Sequence, residues 1–524
     1  MNIAITRMRL ILVAIFCFTL FEVQAYKILI IYPTKMHSHQ QPATALTEAL
    51  IKRGHQLVVI GPRVVPGMEN NYTFVDSSFG NSTRPWNSLF NRRLTKWDLL
   101  EIIPEEVERT KSFFEGEKVH KFLREKEHII FDVVIGESWL MSYVCGITQL
   151  LARGKPIIGF SSLPNQPFCE ESLGSINHLS FVPLYDPYTD RMSIWQKLNN
   201  WFTAFYIRRK LLHIFKIKIQ QFFDEKFGPG LEYQVDSCSH MLDLQLIASN
   251  FLYGYPRLLS PNVIELGPMH IKPPEKLPQR IQDWLDRAEK GVIYFSFGTN
   301  MLSKNLPADA LSNFLKVFKE LPIGYRVLWK WEKDGEIPGQ SENILVEKWL
   351  PQQSVLAHPK VKAFITQGGL QSFQEAVHFE VPLIGTPWFF DQMKNVAKIV
   401  DAGIGVQLNP EQLHSYEDIK IAVLTVLLNG SFAANMKRLS AISKDFTSTA
   451  LDKAVFWVEH VAKHGGAPHL RPSTADTTYF EFFCLDILSV ILVISLIGLC
   501  TAGLVVKYVI LRVRSQITCK IKRS

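Results

Sequence analysis

The sequence predicts an α/β chain of two Rossmann-like domains, followed by one apolar transmembrane helix. Three observations lead there. A β–α–β pattern opens the chain at residues 27–60, and a second series of apolar strands and helical spacings fills residues 279–461. Between them, residues 266–278 are rich in proline and have no apolar period, as a linker requires. At 524 residues, 47% of them hydrophobic, the chain is too long for one ordinary core and well able to build two.

The two ends are apolar in different ways. Arg7 and Arg9, an apolar run at residues 10–21, and small residues at 23 and 25 read as a secretory signal over residues 1–25. Ile487 to Val506 is twenty residues without a charge, about 30 Å as a helix, which matches a bilayer core. Lys507, Arg512, Arg514, Lys520, Lys522 and Arg523 follow it. The positive-inside rule puts that tail, residues 507–524, in the cytosol and the body in the lumen, a single-pass type I arrangement in the endoplasmic reticulum membrane. Lys520 and Lys522 fit a dilysine retrieval signal; a basic membrane-flanking tail is the other reading of them. Residues 466–486 form the juxtamembrane segment.

Of the formal net charge of +8, most belongs to these ends, so a nucleic-acid partner is not implied. The body holds only Cys145, Cys169 and Cys238, enough for one disulfide at most, and their spacing suggests no metal. Asn71, Asn81 and Asn429 head glycosylation tripeptides.

In the first domain, residues 26–265, strands are expected at 27–32, 57–60, 131–135 and 156–160, and helices at 42–53 and 139–152. Residues 63–110 read as loops. The loop between the first strand and first helix carries His37, Ser38 and His39, where an imidazole could take a proton from an acceptor hydroxyl. Residues 194–227 interleave aromatic, apolar and basic side chains. Such a helix can lie on an anionic membrane face or pack against its own domain; either way it would help to form a greasy acceptor pocket.

In the second domain, residues 279–465, a helix at 279–289 precedes a strand at 292–297 that ends in Gly298-Thr299. Strands follow at 326–331 and 344–348. Residues 363–366 form a further buried strand, Gln367-Gly368-Gly369 a tight turn, and residues 371–379 a helix. That geometry brings bare N–H groups and a positive helix end to one point, which suits a phosphate. A strand beginning at Pro382 and a helix beginning near Asp391-Gln392 place two more polar side chains past a strand's carboxyl end, where α/β ligands bind. Helices at 416–461 close the domain, the last packing back across the linker.

Trp349-x-Pro-Gln352, His358-Pro, Thr366-x-Gly-Gly369, Ser372-x-x-Glu375, Val381-Pro and Asp391-Gln392 fall in order over residues 349–392. This series closely resembles the signature of the UDP-glycosyltransferases, animal and especially insect-type, and the resemblance runs over nearly the whole chain. It implies a GT-B fold, with the two Rossmann-like domains facing each other across a cleft, a UDP-sugar donor, a small lipophilic acceptor, inversion at the anomeric carbon, and no cofactor or metal ion. By position, it implies that His39 is the general base and that Glu137 stands where the family's orienting aspartate would be, one methylene longer. His37, two residues earlier, is the alternative base.

Also by resemblance, Trp349 would stack on uracil and Gln352 would bond the base or ribose. Glu375 would accept from ribose hydroxyls, Thr299 and Gly369 would hold the diphosphate, and Asp391 and Gln392 would bond the sugar. Arg257, in a Pro-Arg pair, would reach towards the donor; a surface salt bridge is the alternative. Gln367 replaces the family's usual histidine at the diphosphate, and Gln371, next to Ser372, replaces a usual asparagine. Glucose is the expected sugar, with glucuronate the runner-up. A membrane-anchored carrier without turnover is the rival from another class. A homo-oligomer is compatible with the sequence.

Overall fold

The computed structural model describes residues 25–68, 70–78, 90, 93–125, 129–164, 167–228 and 241–521. The expected signal segment, Asn81, Cys238 and Lys522 lie outside these residues. The chain divides into two compact units, Met1–Arg471 and Pro472–Ser524.

The first unit contains two parallel sheets. In the first lobe the strands are β1 (Lys27–Ile31), β2 (Gln56–Gly61), β3 (Tyr72–Asp76), β4 (Val133–Glu137), β5 (Ile157–Ser161), β6 (Leu242–Ile247) and β7 (Val263–Glu265). Their order is β3-β2-β1-β4-β5-β6-β7. In the second lobe they are β8 (Gly291–Phe295), β9 (Tyr325–Lys330), β10 (Ile344–Glu347), β11 (Val361–Thr366), β12 (Leu383–Gly385) and β13 (Gly405–Gln407), ordered β10-β9-β8-β11-β12-β13. Both orders reverse direction beside the lobe's first strand, and ligands of open α/β sheets bind outside the strand ends at such a point.

The principal helices of this unit are α1 (His37–Lys52), α2 (Leu99–Glu115), α3 (Met141–Leu151), α4 (Ile194–Phe227), α5 (Ala308–Lys319), α6 (Leu370–His378), α7 (Gln392–Asp401), α8 (Tyr416–Leu428), α9 (Gly430–Thr447) and α10 (Ala450–His464). In the first lobe, α2, α3 and α4 cover one sheet face with residues such as Phe114, Val144 and Phe223. The opposite face is covered by α1 and by α10, whose Ala454, Val455, Val458 and Val461 meet Ile30, Val133 and Leu246. Thus the last helix of the second half completes the core of the first. Glu459 fastens it, 3.1 Å from the buried His55 ring.

Two sequence expectations change. Residues 63–110 are not loops throughout: they hold β3, paired to the edge of β2, and the start of α2. The first helix begins at His37 rather than Pro42, so Ser38 and His39 lie in its first turn and Pro42 inside it.

The second unit carries α11 (Leu485–Ile521), which is long and apolar enough to cross a membrane.

Candidate active site

A cavity of about 850 Å³ separates the amino-terminal turn of α1 from the carboxyl ends of β11 and β12. Strand β1 ends at Ile31, the chain turns through Pro33 and Thr34, and α1 then carries His37 and His39 onto the cavity wall. Burial drives the His39 imidazole down to about 4, so it is neutral at physiological pH. His37 is committed elsewhere. Its Nδ1 lies 2.7 Å from an Arg63 nitrogen, a donor that leaves His37 to carry its own proton on Nε2, and its ring meets Trp349 edge-on at 5.6 Å.

The expected carboxylate partner of His39 is not in contact with it. Glu137, at the end of β4, turns instead to the Thr34 N–H, which its Oε2 accepts at 3.2 Å. The carboxyl is almost completely buried, and that burial raises its pKa to about 7 against the opposing effect of the Thr34 bond. That loop N–H, just past β1, gives the carboxylate a local donor.

Across the cavity, the glycine turn is built as a polar lattice. Gly368 has φ +80°, and a Cβ there would come within 2.4 Å of Val396, so both backbone and space demand glycine. Asn395 donates to the Gly368 carbonyl at 2.9 Å and to Asp391 Oδ2 at 2.7 Å, fixing the turn to the start of α7. Gln392 Oε1 accepts from the Trp388 and Phe389 N–H groups, and its Nε2 donates to Gln367 Oε1 at 3.1 Å. These bonds orient Gln367 so that its own amide nitrogen faces the other glycine turn: a Cβ on Gly298 would stand 2.7 Å from it. Two N–H donors therefore point between Gly298-Thr299 and Gly368-Gly369. Thr299 is exposed on the cavity wall and Gly369 precedes the first turn of α6.

Asp391 lies in the same lattice. Burial raises its pKa, while the Asn395 amide and the Leu370 N–H favour its charged form. Gln371, expected at the donor, reaches instead to the Ser162 carbonyl at 3.2 Å, and Gln374 to the Ala248 carbonyl at 3.1 Å, joining the two lobes.

Trp349 is 59% exposed at the cavity, with the Lys330 ammonium 5.5 Å from its ring centre. Gln352, Ser372 and Glu375 form a network beside it. Gln352 donates to Glu375 Oε2 at 2.7 Å and to Ser372 Oγ at 3.0 Å, and Gln353 donates to Glu375 Oε1 at 3.1 Å. His270, from the linker, stands 3.3 Å from the same carboxylate. Glu375 is thus buried and already satisfied by protein donors.

Arg257 is not a surface salt bridge, and it lines the cavity. It is buried in the first lobe between Glu170 at 2.5 Å and Glu265 at 3.0 Å, and it also donates to the Pro164 carbonyl. Asn71 is exposed with φ +61°, and Asn429 is exposed as the cap of α9, so both are accessible.

The sequence reading missed three residues here. Lys330 ends β9, donates to the Gly298 carbonyl at 3.0 Å and pairs with Glu332 at 2.8 Å. Asn395 follows Asp391 by one helical turn, a spacing that would have marked it. Lys394 lines the cavity, where burial lowers its pKa against the pull of Asp391. Among the described residues no cluster of three metal-ligating side chains is present.

The profile of the family described as UDP-glucuronosyl and UDP-glucosyl transferase matches residues 27–523. The chain is 31% identical to the UDP-glycosyltransferase UGT4 of Dactylopius coccus, over 90% of this chain and 93% of that one. It is 29% identical to UDP-glucosyltransferase 2 of the same organism, over 96% of each. Its fold is similar to the crystal structure of the calicheamicin glycosyltransferase CalG4, with a TM-score of 0.56 at 14% identity, covering 84% of this chain and 99% of that one.

Proposed function

We propose a reaction that starts from one premise: the chain belongs to the UDP-glucuronosyl and UDP-glucosyl transferase family and is a glycosyltransferase of the GT-B fold. It moves a hexose, glucose first, from UDP to the hydroxyl of a small lipophilic acceptor. His39 takes the acceptor proton, the acceptor oxygen bonds to the anomeric carbon, and the bond from that carbon to the diphosphate oxygen breaks with inversion. Charge left on UDP is met by the Gln367 amide, the Thr299 hydroxyl and the amino-terminal turn of α6. No metal ion is invoked. Trp349 stacks on the base, and the Glu375 network reorganises to share donors with the ribose.

The observation that carries this reading is the placing of a neutral, unengaged His39 ring and the Gln367 amide on opposite walls of one cavity. Family membership favours an enzyme over a carrier. The experiment is transfer from radiolabelled UDP-glucose to a phenol panel by wild type and His39→Ala, with UDP binding measured alongside. Retained turnover in the variant would remove His39 from its role.

Glucuronate is the second reading of the donor, and Lys394 favours it. The described residues give its ammonium no ion pair, and it lies on the cavity wall three residues past Asp391. Competition between UDP-glucose and UDP-glucuronate decides the sugar. In the same reading α11 anchors the enzyme in the endoplasmic reticulum membrane with the lobes in the lumen, and Asn71 and Asn429 carry glycans.

A further inference from the structure

Helix α4 has two apolar faces, and only one of them is used. Its inner face buries Asn200, Thr203, Ala204, Ile207 and Leu211 against the first lobe. The opposite face exposes Trp195 (77%), Leu198 (52%), Trp201 (58%), Phe202 (57%) and Phe205 (56%), at the three- and four-residue spacing of one stripe. The rings lie along each other: Trp201 stacks on Phe205 with centroids 5.8 Å apart, and Phe202 on Tyr206 at 6.1 Å. Phe181, 53% exposed, extends the patch. A soluble surface seldom leaves so many aromatic rings together in water.

Along residues 191–210 the chain's own charge has one sign, while Asp186 and Glu171 approach from outside, on Asn199 and Arg208. Residues 191–210 contain no Asp or Glu, but they include Lys197, Arg209 and Lys210 at the margins, besides Arg208, which Glu171 neutralises. Lys197 and Lys210 hold their ammonium groups against the Phe181 and Tyr206 rings, at 4.9 and 5.8 Å. Aromatic rings in a plane with cations at their edge match the headgroup boundary of an anionic bilayer, where Trp is favoured and Lys or Arg finds phosphate.

We propose that the outer face of α4 docks into an anionic membrane surface and delivers lipophilic acceptor from the bilayer to the cavity. The delivery half rests on the function proposed above; the docking half does not. The connection is short. Asn200 on the inner face accepts from the Leu184 N–H at 3.0 Å, and Leu184, Tyr185 and Leu211 line the cavity. The wall of the acceptor space is therefore the back of the exposed stripe.

The test uses the whole chain in nanodiscs whose lipids carry brominated acyl chains, with tryptophan emission as readout. Helix α11 contains no tryptophan, so a spanning anchor adds no signal of its own. Docking predicts bromine quenching of wild-type emission that is largely lost in Trp195→Phe/Trp201→Phe and falls severalfold when anionic lipid is replaced by zwitterionic. In Leu198→Glu/Phe205→Glu, which keeps both tryptophans, quenching should fall as well. The same variant should raise KM severalfold for a bilayer-partitioned acceptor and leave KM for a water-soluble phenol unchanged. Equal quenching in wild type and in the tryptophan variant would overturn docking. So would absent quenching together with disulfide cross-linking of two Trp201→Cys chains, which would assign the face to a second copy. Normal quenching with equal KM changes for both acceptors would overturn delivery alone.

Discussion

The two lobes share a strand order but hold their functional side chains by opposite means. In the second lobe, position comes from hydrogen bonds: Asn395, Gln392, Gln367, Gln352 and Glu375 each have named partners within 3.1 Å. In the first lobe, Glu137 has a single donor, the Thr34 N–H, and burial dominates the chemistry, moving the His39 pKa down to about 4 and the Glu137 pKa up to about 7. A donor with many polar atoms is matched by a preorganised lattice. The lipophilic acceptor proposed above would meet an apolar wall in which burial disfavours charge on His39 and Glu137.

The sharpest way to separate the lobes is His39→Ala. Under the proposed role of His39 as base, turnover should fall about 10²–10⁴-fold, while UDP affinity, assigned in the same proposal to the other lobe, should stay unchanged in calorimetry. Glu137→Gln breaks the comparison on the stability side. The wild-type carboxyl is protonated in folded and unfolded chains below about pH 4.5. As pH rises towards 7 the unfolded chain releases the proton and the folded chain keeps it, so stability falls across that window and stays low above it. The variant lacks this loss and should gain on the order of 3 kcal/mol over wild type at pH 8 and almost nothing at pH 4, read from denaturant midpoints. His39 acts with the opposite sign, losing stability as pH falls from about 6.5 to 4, and it cancels in that difference.

Gln392→Ala probes the lattice itself. It orphans two N–H groups and frees Gln367 to rotate, at a cost of about 1–3 kcal/mol. Donor KM should rise about tenfold or more while acceptor KM holds. The smallest effect is expected from Arg63→Ala. Arg63 is the second cause, after burial, of the lowered pKa of His37, so the His37 titration followed by NMR should move up with little change in turnover.

What could be read in the sequence follows the same division. The glycine turn announced itself because paired glycines between an apolar strand and helical spacing have few other uses. Strand β6 was missed because Asp243 and Gln245 interrupt its apolar residues; both are spent inside, on the Ile157 N–H and on Ser138. The start of α1 was missed because Met36 to Gln41 has no apolar period and Pro42 looks like a helix start. Lys330 becomes a site residue only when β9 folds beside β8, a relation between strands that local pattern does not encode. Glu137 shows the remaining limit: position along the chain predicted a carboxylate at the end of β4, but not that the Thr34 N–H would bond it.

The placing of α10 bears on the order in which the chain can mature. The first lobe is synthesised first, yet one face of its sheet, partly covered by α1, is completed only by residues 450–464. Until the ribosome has passed them, that apolar face stands open to chaperones and to other nascent chains. A stop codon anywhere in the second lobe would therefore yield not a stable acceptor half but a lobe missing its own lid.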